Sequence, residues 1–288
     1  MASYNPFSRQ ESHGAYSLGS YRLLVPLSWL LVVVVGIYYT IHAPADGHGI
    51  FDQANRHITP FSQSTTVTGV YWILLLISQL SYVYHLFHRD SSIVTATANV
   101  GAHFILNNLF IFFWILLWTR GHFWGSEVIL IFHLINQHTT YWRHRAAPPL
   151  VHLSAIAGPF AWTLMALFWN GAVAVHSNSL PARIVANVFI WVIFLIGTAH
   201  ITVGQDDLLG YCLSLLFLGL ALKQIAVKTI ALQWIFAFVI FAVFLTESFY
   251  ISGTKYTGRD VLFRRLAHPE AADREREPLL NEEPGATA

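Results

Sequence analysis

The sequence predicts an all-α, polytopic integral membrane helical bundle, and three observations carry that prediction. Of the 288 residues, 55% are hydrophobic and only 11% are charged, less than half the share of roughly a quarter that soluble domains carry. The apolar residues gather in eight windows of span length, separated by polar punctuation. Thirteen of the charged residues lie between Lys255 and Glu283, which leaves 18 for the preceding 254 positions.

A hydrocarbon core of about 30 Å needs about 20 residues of helix. By that measure eight transmembrane helices are expected, at about 22–42, 67–87, 98–118, 122–142, 150–175, 184–203, 208–222 and 229–251. The first is expected to persist in the mature chain, because a polar segment of 21 residues precedes it and no small-residue cleavage site follows. Connections such as Arg89–Ser92 and Arg120–Gly121 are short, so consecutive spans should lie antiparallel and adjacent. A transmembrane β-barrel is excluded, since its strands need period-two alternation rather than continuous apolar runs. Three regions follow: residues 1–21 as a cytosolic N-terminal segment, 22–251 as the transmembrane domain, and 252–288 as a disordered, charged cytosolic tail.

Eight spans put both termini on one side. That side collects eleven Lys and Arg against five on the other, and the positive-inside rule makes it the cytosol. In the tail, Glu275 followed four residues later by Leu279 and Leu280 fits an acidic dileucine signal read by sorting adaptors, and Asn5-Pro6-Phe7 fits an endocytic tripeptide. Both point to a vacuolar, endosomal or Golgi membrane. Nucleic-acid binding is disfavoured, since the net charge is +1 with no basic cluster outside the tail. The one cysteine, Cys212, excludes an internal disulfide.

Polar side chains inside hydrocarbon are costly and mark functional positions. The amides Gln79, Asn107, Asn108, Asn136, Gln137, Asn170 and Asn187 and the acids Glu127 and Glu247 fall in the spans; the plain expectation for the amides is interhelical hydrogen bonding. Five histidines, His85, His103, His138, His152 and His200, fall within about 10 Å of the cytosolic boundary at 1.5 Å per residue. Three readings of this layer stand: imidazoles bonding headgroups and carbonyls at the interface, a bis-histidine haem or metal site of a membrane oxidoreductase, or a proton-linked site. The opposite half offers no second histidine pair, so haem-to-haem transfer across the bilayer is weakly supported. No cofactor is fixed by the sequence. Trp29, Tyr38, Tyr39, Trp118, Trp124, Tyr141 and Trp142 fall near span ends, as interface anchors do. Trp72, Trp114, Trp162, Trp169, Trp191 and Trp234 lie deeper.

In the fifth span, Gly158-Pro159-Phe160-Ala161-Trp162 leads into Ala166 and Asn170, with Trp162, Ala166 and Asn170 spaced by four and therefore on one face. Thr59-Pro60-Phe61 before Trp72, and Asn107-Asn108 before Trp114 and Trp118, fall in matching order. Over about residues 22–175 this pattern resembles the translocator protein / tryptophan-rich sensory protein family. The resemblance implies a five-helix translocator-like core plus three C-terminal helices, and a pocket for sterols, other lipids or tetrapyrroles, with Trp72, Trp114 and Trp162 as walls, Ala166 on the same face, and Asn108 and Asn170 as polar contacts. The chain departs from the family in having one proline, Pro60, before the second helix, and in the spacing of Pro159 to Trp162. Taken whole, including residues 104–108 (Phe-Ile-Leu-Asn-Asn) and 233–238 (Gln-Trp-Ile-Phe-Ala-Phe), the chain resembles an uncharacterised family of fungal multi-pass membrane proteins. The expected function is handling of a lipid, sterol or tetrapyrrole in an inter-helix pocket, with membrane lipids as partners. The alternatives are the His-ligated oxidoreductase above and a non-catalytic trafficking or assembly factor. No nucleophile elbow, His-Glu-x-x-His or phosphate loop is present.

Overall fold

The computed structural model describes residues 5–145, 147–176, 179–229 and 232–257. Among them all regular structure is helical: α1 Ala15–Ile41, α2 Ile50–Arg56, α3 Thr65–His85, α4 Ser91–Thr119, α5 Phe123–Arg143, α6 Pro149–His152, a π-helical stretch Leu153–Ala157, α7 Gly158–Val175, α8 Leu180–Gly204, α9 Asp207–Val227 and α10 Gln233–Thr257. The expected dileucine at Glu275, Leu279 and Leu280 lies outside the described residues, as does the tail beyond Thr257.

Among the described residues, seven helices are long and apolar enough to cross a membrane: α1, α3, α4, the rod Pro149–Val175 that joins α6 to α7, α8, α9 and α10. The expected fourth span, α5, has the length at 21 residues but not the apolarity, because Ser126, His133, Asn136, Gln137 and Thr140 make up much of its buried face. By helix length and apolarity alone, seven of the described helices are therefore candidate spans. Helix α1 also starts at Ala15, ahead of the expected 22, since nothing between Ala15 and Tyr21 breaks a helix and extra turns cost little beyond the apolar run. The first interspan loop contains α2, which packs under α4: Trp118 Nε1 donates to Ile50 O at 3.2 Å and Gln53 Nε2 donates to Trp118 O at 3.1 Å.

Alternation of the long helices brings the described beginning and end of the chain to one end of the bundle, called here the terminal end. Gln10 N–H donates to Asn99 Oδ1 at 2.8 Å, Arg143 reaches Phe7 O at 3.0 Å and Arg145 reaches Val203 O at 2.7 Å, and Lys255 pairs with Asp207. At the far end, Gln224 Nε2 donates to Thr59 O at 2.9 Å and Gln233 Nε2 to Pro60 O at 3.0 Å.

The rod Pro149–Val175 is the axis of the fold: an 18-residue apolar stretch of it is 83% buried, against 17% for the corresponding stretch of α1. Its π-helical turn has an identifiable cause. Pro159 has no N–H and its ring crowds the carbonyl one turn back, and the wider π spacing relieves that crowding. The carbonyls around it find donors on α3: Gln79 Nε2 donates to Ser154 O at 3.4 Å and Tyr71 OH to Gly158 O at 2.7 Å. Close approach of α3 requires glycine at 158, since a Cβ there would stand 2.6 Å from Leu75 Cδ1. Two expected interface anchors lie inside instead: Trp118 and Tyr141 are fully buried, because the packed rod and α5 extend past the depth at which a lone helix would meet water.

Candidate functional site

Four of the tryptophans singled out in the sequence meet. Trp72 on α3 contacts Trp162 on α7 edge to face at 5.1 Å between centroids, Trp114 on α4 contacts Trp162 at 6.0 Å, and Trp169 closes the set at 6.3 Å. They wall an apolar cavity of about 300 Å³, at the lower end of the range for small-molecule sites. Gly36 and Ile37 of α1 and Gly69 and Ile73 of α3 also line it. Ile37 and Ile73 are 55% and 59% exposed, so the mouth opens sideways between α1 and α3, toward where lipid would stand.

The cavity wall is not wholly apolar. Gln63, at the end of the loop before α3, and Thr68 line it with Trp114 and Trp169. The Gln63 amide oxygen and nitrogen, Thr68 Oγ1 and both indole N–H groups are buried without a hydrogen-bond partner. Each such group costs about 1–3 kcal/mol unless something supplies the bond. Sequence reading missed Gln63 and Thr68; Gln63 stands two residues after Phe61, outside every expected span.

The other predicted ligand contacts lie elsewhere. Asn108 donates to Ser28 Oγ at 3.1 Å. Asn170 accepts from Ser126 Oγ at 2.7 Å and donates to Phe123 O at 3.0 Å and to Glu127 Oε2 at 2.7 Å. Ala166 is fully buried and does not line the cavity. These residues join helices.

A polar network crosses the middle of the bundle. Asn107 Oδ1 accepts from His133 Nε2 and from Gln137 Nε2, both at 2.7 Å. Thr163 Oγ1 stands 3.2 Å from His133 Nδ1, and Asn107 Nδ2 passes the chain to Asn108 Oδ1 at 3.1 Å. Since an amide oxygen can only accept, His133 carries its proton on Nε2. The network thus joins α1, α4, α5 and α7, and it explains why α5 is too polar to read as a span.

The five histidines do cluster at the terminal end, but not around one point. His200 Nε2 lies 3.3 Å from His138 Nδ1. His152 Nε2 pairs with Asp206 Oδ2 at 2.6 Å. His103 Nδ1 meets Asn136 Oδ1 at 2.7 Å, and His85 bonds Ser81 O on its own helix at 2.6 Å. Among the described residues, no three of His, Cys, Asp and Glu converge as metal ligands. Asp206 lies between α8 and α9 and caps α9 by accepting from Leu209 N–H at 3.1 Å. Burial works against its ionisation, but hydrogen bonds from His152, Leu209 and Tyr141 outweigh burial and hold its carboxyl below the usual range.

Beside this group, His144 caps the end of α5 and packs edge-on to His103 at 5.7 Å. Burial, then the nearby His103, Arg143 and Arg9, push the His144 imidazole down to about 4. The folded state therefore binds this proton later than the unfolded chain does, and stability should fall as pH drops from about 6.5 toward 4. Thermal unfolding of purified protein across that window should show a slope that His144→Asn flattens; an unchanged slope would show that His144 does not titrate in that environment.

Comparison with known proteins adds kinship without chemistry. Residues 183–280 match the profile of a family described as a fungal protein of unknown function, DUF1774. That match spans α8 to α10 and the tail, and leaves the tryptophan cavity outside it. The chain is also similar to an uncharacterised protein of Schizosaccharomyces pombe, at 25% identity over 191 residues that cover 65% of this chain and 71% of that protein. No solved structure matches. The translocator-like arrangement of the first five spans is not part of what these matches show.

Proposed function

We propose that this chain is an eight-span membrane protein, α5 included, that holds a compact amphipathic lipid of sterol or tetrapyrrole type in the tryptophan cavity. What supports the reading is the convergence of Trp72, Trp114 and Trp162 on one cavity whose wall carries unpartnered polar groups at Gln63, Thr68, Trp114 and Trp169. Both indoles can only donate, so the ligand must present an oxygen acceptor, and the sideways mouth suits entry from the bilayer. The translocator-like core is the arrangement this reading assumes for the first five spans. The Lys/Arg asymmetry puts both termini in the cytosol, and the dileucine and Asn-Pro-Phe signals suit an endomembrane organelle.

Photo-crosslinking of the purified full-length chain with sterol and porphyrin probes tests it. Saturable labelling is expected, lost on Trp162→Ala and weakened about fivefold by Gln63→Leu, which removes about one hydrogen bond. The same Gln63→Leu change should leave the ligand-free protein as stable or more stable, because it removes an orphaned buried amide. Labelling that never saturates, or that ignores both variants, rules the cavity out as the binding site.

A further inference from the structure

A second cavity, about 770 Å³, opens at the far end of the bundle between α5, α7, α8 and the 55–61 loop. It shares no lining residue with the tryptophan cavity and is independent of whether that cavity is filled. Its inner wall is apolar, with Phe168 and Phe189 5.8 Å apart between centroids and Leu167 and Val185 beside them. Val185 and Phe189 are 49% and 44% exposed, so the wall continues onto the outer face of α8, where lipid tails would run.

The rim is cationic, and its key residue is Arg183. Arg183 is the fourth residue of α8, whose N-cap Ser179 accepts from Ala182 N–H at 3.3 Å. A cation in the first turn faces the positive end of the helix dipole, an unfavourable place unless an anion is shared there. Among the described residues Arg183 has no carboxylate within ion-pair distance, and its Nε is buried without a hydrogen-bond partner. Arg56, also on the rim, is already paired with Asp52 at 3.0 Å. Glu127, an acid in the lining, is engaged by Asn170 Nδ2 at 2.7 Å. Two imidazoles complete the rim: His57 stands edge-on to His176 at 5.9 Å, with an unpartnered Nδ1. Burial, then His176, His48 and Arg56, hold the His57 imidazole below its ordinary value, so it is neutral and able to donate or accept. His176 holds its place in the left-handed region at φ 45°, a conformation that non-glycine residues adopt at a cost.

We infer that this cleft is a phospholipid site, in which Arg183 binds the headgroup phosphate at the start of α8 while an acyl chain lies along Phe168 and Phe189. A guanidinium gives the forked, charge-assisted contact that phosphate oxygens take best. A small water-soluble phosphate would gain nothing from the aromatic wall, which is why the lipid is the favoured source.

The test is native mass spectrometry of the full-length chain after partial delipidation, reloaded with dioleoylphosphatidylcholine. Retained phospholipid is expected on the wild type and should fall at least about tenfold in R183Q, with R183K in between. R89Q, which changes a cation in the loop between α3 and α4 at the terminal end, should match the wild type. Dioleoylglycerol, with the same tails and no phosphate, should not be retained, and millimolar inorganic phosphate should not displace the phospholipid. Equal retention by R183Q, retention of dioleoylglycerol, or displacement by inorganic phosphate would each overturn the assignment. Should R183Q fail to purify, R183K decides: retention equal to the wild type overturns the site, and reduced retention supports it.

Discussion

Replacing Asp206 with alanine is expected to destabilise the protein by about 3–5 kcal/mol, the cost of breaking a buried pair by removing one partner. Both side chains of the pair are shielded, at 10% exposure for His152 and 6% for Asp206, so water cannot replace the lost bond. His152 Nδ1 already has no partner, and without Asp206 its Nε2 would have none either. The change also removes the α9 N-cap, a contribution of about 1 kcal/mol that overlaps with the first. Asp206→Asn keeps the cap on its one amide oxygen and turns an NH2 toward His152 Nε2, which can accept it in the other tautomer, so it should cost about 1–2 kcal/mol, less than alanine, by losing charge assistance. Denaturant unfolding in detergent reads the series; an alanine variant no worse than the asparagine one would show that the pair does not hold α6 to α9.

The pH dependence has a definite sign. Because the folded carboxyl of Asp206 is held below its ordinary range, its contribution is complete above the unfolded value of about 3.9 and is lost as pH falls through the lower folded value. The stability gap between wild type and Asp206→Asn should therefore persist from neutrality down to about pH 4 and close only in stronger acid. A gap that closes near pH 6 would assign the effect to another group.

The long helices were legible because hydrocarbon leaves the backbone no partner but itself, so each crossing writes a continuous apolar run. What was not legible is azimuth. Depth along a helix follows from counting residues; which neighbour each histidine faces depends on packing. His138 and His200, 62 residues apart, meet, whereas His85 bonds its own helix. The same limit divides the predicted site. Trp72, Trp114 and Trp162 converge because each is long enough to reach the gap left between α1, α3 and α7. Asn108 and Asn170 are short amides, and nearer partners at Ser28, Ser126 and Glu127 take them. Gln63 gave no signal because it stands outside every apolar run and is brought to the cavity only by the loop that carries Thr59 and Ser62 onto Gln224.

Asn107→Leu should destabilise the protein by about 2–4 kcal/mol, because one oxygen serves two donors. Removing it leaves His133 Nε2–H only the longer contact to Thr163 Oγ1 at 3.3 Å and strands a Gln137 amide proton, both on fully buried side chains, and a buried orphan costs about 1–3 kcal/mol. The single interhelical bonds are worth less, about 1–2 kcal/mol even in membranes, so the size of the loss separates stranding from simple bond removal. The decisive variant is the triple change Asn107→Leu, His133→Leu and Gln137→Leu. It deletes every bond in this part of the network, yet leaves fewer orphans, and should be more stable than Asn107→Leu alone, since replacing all partners with apolar groups of similar shape is often close to neutral. It would also raise the apolarity of α5 toward that of the other spans. A single variant within about 0.5 kcal/mol of wild type, the range of an ordinary surface change, would mean that water reaches the middle of the bundle and satisfies His133 and Gln137. A triple variant worse than the single would mean instead that the polar network is what selects how α4, α5 and α7 pack, and that its role is specificity of the fold rather than strength.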